Sequence, residues 1–341
     1  MSRRGCIIDA EILFFMGKYM DLKKIAMLAN VSVSTASKAF SGSREVSEST
    51  REAVFAIAKE NGCFEKYYKP KYEKRVIALL CPEILGIHYG RMATDMEREI
   101  SERGDTLILS VTNFSHKTQS ELIDYYVKFC HVDGIIIIEP KGNIKSVQGV
   151  PIVRIDFENE LRKTDCVKTE ISPAMDEAVE CLLSLGHRRI GFIGEKFATP
   201  EEEFFISAME RNSLEIKDGD VIISDRRFED AGYYAMDEML KRSDRPTAFF
   251  AAYSHIALGI MQRLKEEGIS VPRDLSLICM DDIQATQYSD KKLSSIKMHL
   301  DELSHSAVEM LYKKMEGDGQ SPRVEMTVIR EFSVGETVGK A

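Results

Sequence analysis

Residues 21–62, DLKKIAMLANVSVSTASKAFSGSREVSESTREAVFAIAKENG, contain three short apolar runs at helical spacing, each preceded by a residue suited to an N-cap. Leu22, Ile25, Ala26 and Ala29 fall at i, i+3, i+4 and i+7, one face of a helix that Asp21 can cap. After the break at Asn30-Val31, Ser32 caps a second helix whose inner face is Ala36, Ala39 and Phe40 and whose outer face is Val33, Ser34, Ser37 and Lys38. Ser47 caps a third, with Val54, Ile57 and Ala58 inward and Gly62 near its end. Two short helices joined by a tight turn and braced by a third predict a helix-turn-helix, whose second helix enters the major groove. On pattern alone, a solvated helical hairpin with a polar outer face is the alternative.

The charge supports the first reading. The 341-residue chain has a net charge of -9, yet residues 20–75 carry eleven Lys or Arg against seven Asp or Glu. The acidity lies after residue 75, and the N-terminal part is the portion able to meet phosphates.

Ile25, Ala26, Ala29, Val31, Ser32, Thr35, Ser37, Val46, Ser47, Thr50, Arg51, Val54, Ala58 and Gly62 follow one another in an order that resembles the DNA-binding headpiece of the LacI/GalR family of bacterial repressors. The resemblance implies operator contacts from Ser32, Val33, Ser34, Thr35, Ser37 and Lys38, with Ser47, Thr50 and Arg51 adding contacts from the start of the third helix. Base reading falls on Val33, Ser34 and Lys38. Val33 suits a thymine methyl and Lys38 can donate to guanine O6 or N7. The partner implied is double-stranded, pseudo-palindromic operator DNA bound by a homodimer.

The headpiece is expected over 20–63, followed by a linker over 64–75, CFEKYYKPKYEKR including Cys63. The family's linker folds into a hinge helix on operator binding. This one is shorter, lacks the Pro-Asn start, and contains Pro70, which breaks a continuous helix. Its five cations (Lys66, Lys69, Lys71, Lys74, Arg75) and three tyrosines (Tyr67, Tyr68, Tyr72) suit phosphates and groove walls, or else a solvated spacer. Residues 1–19 read as an extension, with Asp9 and Glu11 interrupting an apolar patch that would otherwise suggest a signal peptide. No stretch approaches the roughly 20 apolar residues needed to cross a bilayer, so a cytoplasmic protein without membrane partners is expected. The seven cysteines are scattered, with no C-x-x-C pair and no histidine cluster, which predicts reduced thiols and no metal site.

From residue 76 the pattern changes. VIALL, DTLILSV, DGIIIIEP and PIVRID alternate with helical stretches near 89–103 and 117–131. RRIGFIGE, DVIIS, TAFFAAY and LSLICMDD then alternate with helices near 173–185, 200–213, 229–242 and 254–268. Short β-branched runs between helices predict parallel βαβ units, so the α/β fold class has two doubly wound parallel-sheet lobes behind the headpiece. Ligands in such sheets lie beyond the carboxyl ends of the strands, in the cleft between lobes. LGHRRIGFIG (185–194), RPTAFFAA (245–252), residues 257–282 and LSSIKM (293–298) resemble the same family's periplasmic-binding-protein-like core, which binds an effector, most often a sugar or its phosphate. The expected effector-binding and dimerisation unit is 76–341, with a first lobe of 76–172 and 296–322 and a second of 173–295 and 323–341.

The resemblance carries effector-binding roles onto His88, Tyr89, Asp156, Phe228 and Asp281. It breaks at two positions, where the family's Arg is Glu201 and its Asn-Asp is Tyr253-Ser254, which adds Glu201 and Tyr253 to the expected pocket. A carboxylate accepts where a guanidinium donates, so a sugar phosphate is disfavoured and a neutral sugar or glycoside with donating hydroxyls is expected. No nucleophile, base or metal constellation is present, and no phosphate loop, so neither catalysis nor a cofactor is expected. The sequence thus predicts an effector-controlled repressor of carbohydrate-utilisation genes. The alternative is a stand-alone sugar sensor with weak or lost DNA binding.

Overall fold

The computed structural model describes residues 20–41, 43, 45–68, 74–144, 149–157, 164–281, 291–317 and 322–341. The chain divides into two compact units, 1–74 and 75–341. Residues 1–19, expected as an extension, and 69–73 of the linker lie outside the described residues.

In the first unit, α1 (Leu22–Leu28), α2 (Val33–Phe40) and α3 (Glu48–Glu60) begin at the expected caps. Asp21 accepts from the Lys24 N–H at 2.9 Å, Ser32 from Thr35 at 3.0 Å and Ser47 from Thr50 at 3.3 Å. Such caps contribute about 1 kcal/mol each. Ile25, Ala26, Ala36, Ala39, Phe40, Val54 and Ala58 close a small core.

The expected boundary at residue 63 falls too early. A one-turn helix, α4 (Phe64–Tyr67), follows α3 at once and folds its aromatics onto the headpiece. Phe64 stacks on Tyr68 with ring centroids 4.6 Å apart, Phe55 meets both edge-on, and Phe40 stacks against Phe55 at 5.6 Å. The Tyr67 hydroxyl donates to the Met20 carbonyl at 2.9 Å. A core this small needs such additions, each aromatic pair contributing about 0.5–1.5 kcal/mol beyond burial. Tyr67 and Tyr68, read as candidates for the DNA groove, are therefore part of the headpiece core.

The second unit holds two six-stranded sheets. The first is ordered β11-β5-β4-β3-β1-β2, from β1 (Val76–Cys81), β2 (Thr106–Val111), β3 (Gly134–Ile138), β4 (Ile152–Asp156), β5 (Asp165–Glu170) and β11 (Glu325–Ile329), all parallel. The second is ordered β12-β10-β9-β8-β6-β7, from β6 (Ile190–Glu195), β7 (Val221–Ser224), β8 (Ala248–Ala251), β9 (Ser276–Cys279), β10 (Ser294–Lys297) and β12 (Glu331–Ser333), with β12 alone antiparallel. GIIII in β3 is buried throughout, as a central parallel strand covered on both faces requires.

Helices α5 (Ile87–Glu102), α6 (His116–Tyr125) and α11 (Leu300–Glu316) belong to the first lobe, and α7 (Ser172–Ser184), α8 (Thr199–Arg211), α9 (Phe228–Leu240) and α10 (Ser254–Glu266) to the second. The helix expected over 117–131 changes character after Tyr125, its last turn, Tyr126–Cys130, being π-helical. Helices α9 and α10 are in unusually close contact. A Cβ on Gly232 would lie 2.0 Å from the Ile256 carbonyl oxygen, and one on Gly259 1.9 Å from that of Glu229.

Two expected lobe boundaries need correction. Residues 323–341 do not all join the second lobe, because β11 pairs with β5 along the first sheet and only then does the chain return in β12. The division at 295/296 would cut β10, which lies wholly in the second sheet. The chain therefore crosses between lobes three times, after β5, β10 and β11.

Candidate DNA-binding helix and inter-lobe cleft

Val33, Ser34, Ser37 and Lys38 stand exposed on the outer face of α2, opposite Ala36, Ala39 and Phe40. Val33 is 42% exposed, an apolar side chain with no core to join. Ser32 and Thr35 are engaged with each other, their hydroxyls 2.7 Å apart within the cap. Lys38 forms an exposed ion pair with Glu45 from the following loop, which holds the Glu45 carboxyl below its usual range. Ser47 and Thr50 repeat the cap pattern, with hydroxyls 2.7 Å apart. Arg51 is turned to bracing, donating to Glu48 at 2.8 Å and to the Ser43 carbonyl at 3.0 Å, and so fixes the loop behind α2. Of the nine expected DNA-binding residues, Val33, Ser34, Ser37 and Lys38 form an exposed patch on α2, while the others, of which Ser32 and Ser47 are also exposed, hold the ends of α2 and α3 in place.

In the second unit a cleft of about 680 Å³, counting its open mouth, lies where both sheets present the carboxyl ends of their strands. His88 and Tyr89 reach it from the start of α5, Glu201 from α8, Phe228 from the start of α9, Tyr253 from the end of β8, and Asp281 from beyond β9. Asp156 is placed apart. Its carboxylate is buried against the Arg154 guanidinium, two residues back along β4, and does not line the cleft. Its neighbour Phe157 does.

Ion pairs span the cleft. His88 Nε2 lies 3.0 Å from Asp281 Oδ2. Burial pushes the His88 imidazole toward neutrality, but the bond and charge of Asp281, aided by Glu201, leave its pKa raised. Burial opposes the Asp281 charge too, but His88, the Ser254 N–H at 2.8 Å and the Cys279 thiol at 3.1 Å hold the carboxyl below its usual range. The second link is a fork. Arg227 donates to both Glu83 oxygens at 2.7 and 2.8 Å and to both Glu195 oxygens at 3.1 and 3.2 Å, which drives its pKa upward. Glu83 follows β1 in the first lobe, whereas Arg227 and Glu195 belong to the second, so the fork ties one lobe to the other. Phe114 from the first lobe stacks on Phe197 from the second at 4.6 Å and 16°.

Phe114, Glu139 and Phe228 line the cleft with positive φ of 57°, 45° and 56°, a backbone region that non-glycine residues occupy at a cost of about 1–3 kcal/mol when neighbours enforce it. Their side chains are thereby turned toward the opening, and the Tyr89 hydroxyl donates to Glu139.

Glu83, Phe114, Glu139, Phe157, Glu195, Phe197, Arg227 and His255 were not among the expected residues. Position signals most of them: Glu83, Phe114, Glu139, Phe157 and Phe197 each sit within three residues of a strand's carboxyl end. The Arg227 fork carries no local signal, because Glu83 is 144 residues away. His187, just before β6, is bonded to Thr247 at 2.8 Å and lies 3.0 Å from both Ser276 and the Gly339 carbonyl, and it does not line the cleft.

Residues 21–63 match the bacterial regulatory proteins of the lacI family, and residues 179–338 match a periplasmic binding protein-like domain. The chain is 27% identical over 318 residues to the HTH-type transcriptional repressor CytR of Escherichia coli (strain K12), covering 87% of this chain and 90% of that one. It is 28% identical over 327 residues to the ribose operon repressor of the same strain, covering 90% and 97%. In fold it resembles the lac repressor dimer bound to operator and an anti-inducer, with a TM-score of 0.69 at 18% identity over 94% of this chain and 99% of that one. Among the described residues no helix is long and apolar enough to cross a membrane. A helix-turn-helix domain of the lacI family at residues 21–63, joined in one chain to a periplasmic-binding-protein-like two-lobed core, is the arrangement of a DNA-binding transcription regulator.

Proposed function

We propose that this regulator is a cytoplasmic repressor of carbohydrate-utilisation genes, a homodimer on a pseudo-palindromic operator, released or retained according to a small sugar-like effector held between its lobes. The observation that carries the effector reading is the cleft itself, its aromatic walls formed by Tyr89, Phe114, Phe197 and Phe228 and its polar lining rich in acceptors. Aromatic faces suit the C–H faces of a sugar ring and carboxylates suit its hydroxyls. Val33, Ser34, Ser37 and Lys38 are the proposed operator-reading set, with Ser32, Thr35, Ser47, Thr50 and Arg51 positioning them or meeting phosphates.

Regulation then follows from differential affinity. An effector that binds better when the lobes are in one arrangement shifts the population toward it, and with it the fraction competent for operator. The test is gel retardation of the full chain on its own upstream DNA with mono- and disaccharides added one at a time. At least one should change the operator affinity severalfold. Failure to retard that DNA at low salt, while a sugar still binds, would favour the stand-alone sensor.

A further inference from the structure

The lining of the cleft is unbalanced in charge. Five carboxylates, Glu83, Glu139, Glu195, Glu201 and Asp281, face one guanidinium, Arg227, and two imidazoles, His88 and His255. Four of the five have a donor beside them. Glu83 and Glu195 share Arg227, Glu139 accepts from Tyr89, and Asp281 faces His88. Glu201 differs. Apart from its own backbone N–H, its carboxylate meets no donor among the described residues, and its pKa is raised, chiefly by burial, with Arg330 and His88 only partly opposing the rise.

One other unmet group in the cleft, on His255, is an acceptor as well, and Asp281 is a buried acceptor already paired, with His88 3.0 Å from its Oδ2. His255 uses Nδ1 on Glu229 at 2.6 Å and leaves a buried Nε2 without a partner, which is an acceptor when Nδ1 carries the proton. The cleft also already holds one cation in a cage. The Arg227 guanidinium lies 4.8 Å from the Phe197 ring centre and 4.6 Å from that of Phe228, between two carboxylates. Arg330, the nearby countercharge, is 2% exposed and does not line the cleft. It sits between β11 and β12, with Nη2 on Thr169 and with Nε and Nη1 buried without a hydrogen-bond partner among the described residues, and its charge only partly offsets the burial that raises the Glu201 pKa.

Resting on the effector role proposed above, we infer that the effector is a cation, an amino sugar or a hydroxylated amine of similar size, whose ammonium is held by Glu201 while Asp281 and His255 accept from its hydroxyls. A neutral sugar leaves the Glu201 charge buried with a weaker donor, whereas an ammonium gives it a charge-assisted bond. The preference is carried by this one position, and an anionic sugar is excluded by the same charge.

The experiment is calorimetric titration of the full chain with glucosamine and galactosamine, set against glucose, galactose and their N-acetylated amino sugars, which keep the hydroxyls and lose the charge. At about pH 6.5, below the ordinary range of an α-amino group near 7.7–8.0, the amines are cationic. At least one should bind about tenfold or more tighter than its uncharged counterparts, and E201Q, which preserves shape, should erase that preference while melting as the parent does. Equal or tighter binding of the uncharged sugars, retention of the preference by E201Q, or no detectable binding of either amine up to millimolar concentration would overturn the inference. Operator retardation with the same compounds separates the two claims. A neutral sugar that binds and alters operator affinity upholds the regulator and removes the cation, and an amine that binds without altering it does the reverse.

Discussion

The outer face of α2 and the lining of the cleft are both polar surfaces set against apolar cores, yet they are poised differently. On α2 the exposed set is short, nearly neutral and in water, with one lysine tied loosely to Glu45. In the cleft the charges are largely spent on each other, Arg227 on Glu83 and Glu195 and His88 on Asp281, with lobe tied to lobe. The contrast follows from the partner each must meet. A DNA groove brings its own dense charge and requires only a shaped, hydrated surface that can be desolvated cheaply. A small effector brings few groups, so the cleft must keep its buried charges paired until the ligand arrives.

The largest expected effect tests whether the headpiece is as self-contained as its core implies. Phe40→Ala removes the ring that meets Phe55, Phe64 and Tyr67 and should destabilise that unit by about 3–5 kcal/mol, enough to unfold so small a core. Operator retardation should vanish while the full chain still binds its effector. Loss of both would show that the two surfaces are not independent.

Next comes the fork. Glu83→Gln leaves Arg227 with one carboxylate instead of two and should weaken closure of the lobes by about 1.5–3 kcal/mol, seen as a larger radius of gyration in small-angle scattering. An unchanged radius would mean that the His88–Asp281 pair and the Phe114–Phe197 stack suffice. On the DNA side, Lys38→Ala should weaken operator binding by about 1–3 kcal/mol and relax preference at one base pair if the ammonium reads guanine. Glu45→Gln, which frees that ammonium, should tighten binding instead. If neither substitution moves affinity, Lys38 leaves the reading set.

The smallest effect is a pH dependence. With the folded pKa of His88 raised, the stability its pair contributes is full below the ordinary histidine value of about 6.5 and is lost as pH rises through the raised folded value. On the acid side the lowered Asp281 keeps the pair intact until pH falls through its own depressed value. Glu201 and Arg330 also face this pair, the first favouring the charged imidazole and the second opposing it. The melting temperature of the parent should therefore exceed that of His88→Gln by more at about pH 6 than at about pH 8. A constant difference would assign His88 to packing alone.

These surfaces were not equally legible in the sequence. Helix α2 could be read residue by residue, because cap, inner face and outer face are all local and repeat at a helical period. The central strands were legible for a similar reason, since GIIII or AFFA must be buried on both sides. What escaped was non-local. Strand β5, DCVKTE, has only Cys166 and Val167 as apolar residues, side by side and without alternation, and is recognisable only beside β11, some 160 positions away. Phe64 and Tyr68 look like linker until Phe55 is seen to lie against both. Asp156 has the right residue type in the right place, but whether it faces a ligand or its neighbour Arg154 is a matter of side-chain direction, to which the pattern is blind.

The glycine contact between α9 and α10 makes those helices a single piece of hardware. Arg227 and Phe228 enter one of them, Tyr253 and His255 the other, and no Cβ can be inserted between without driving the backbones apart. Redesign of this sensor for a new compound should therefore treat that wall as a fixed plate and seek its variation on the side chains of the opposite wall.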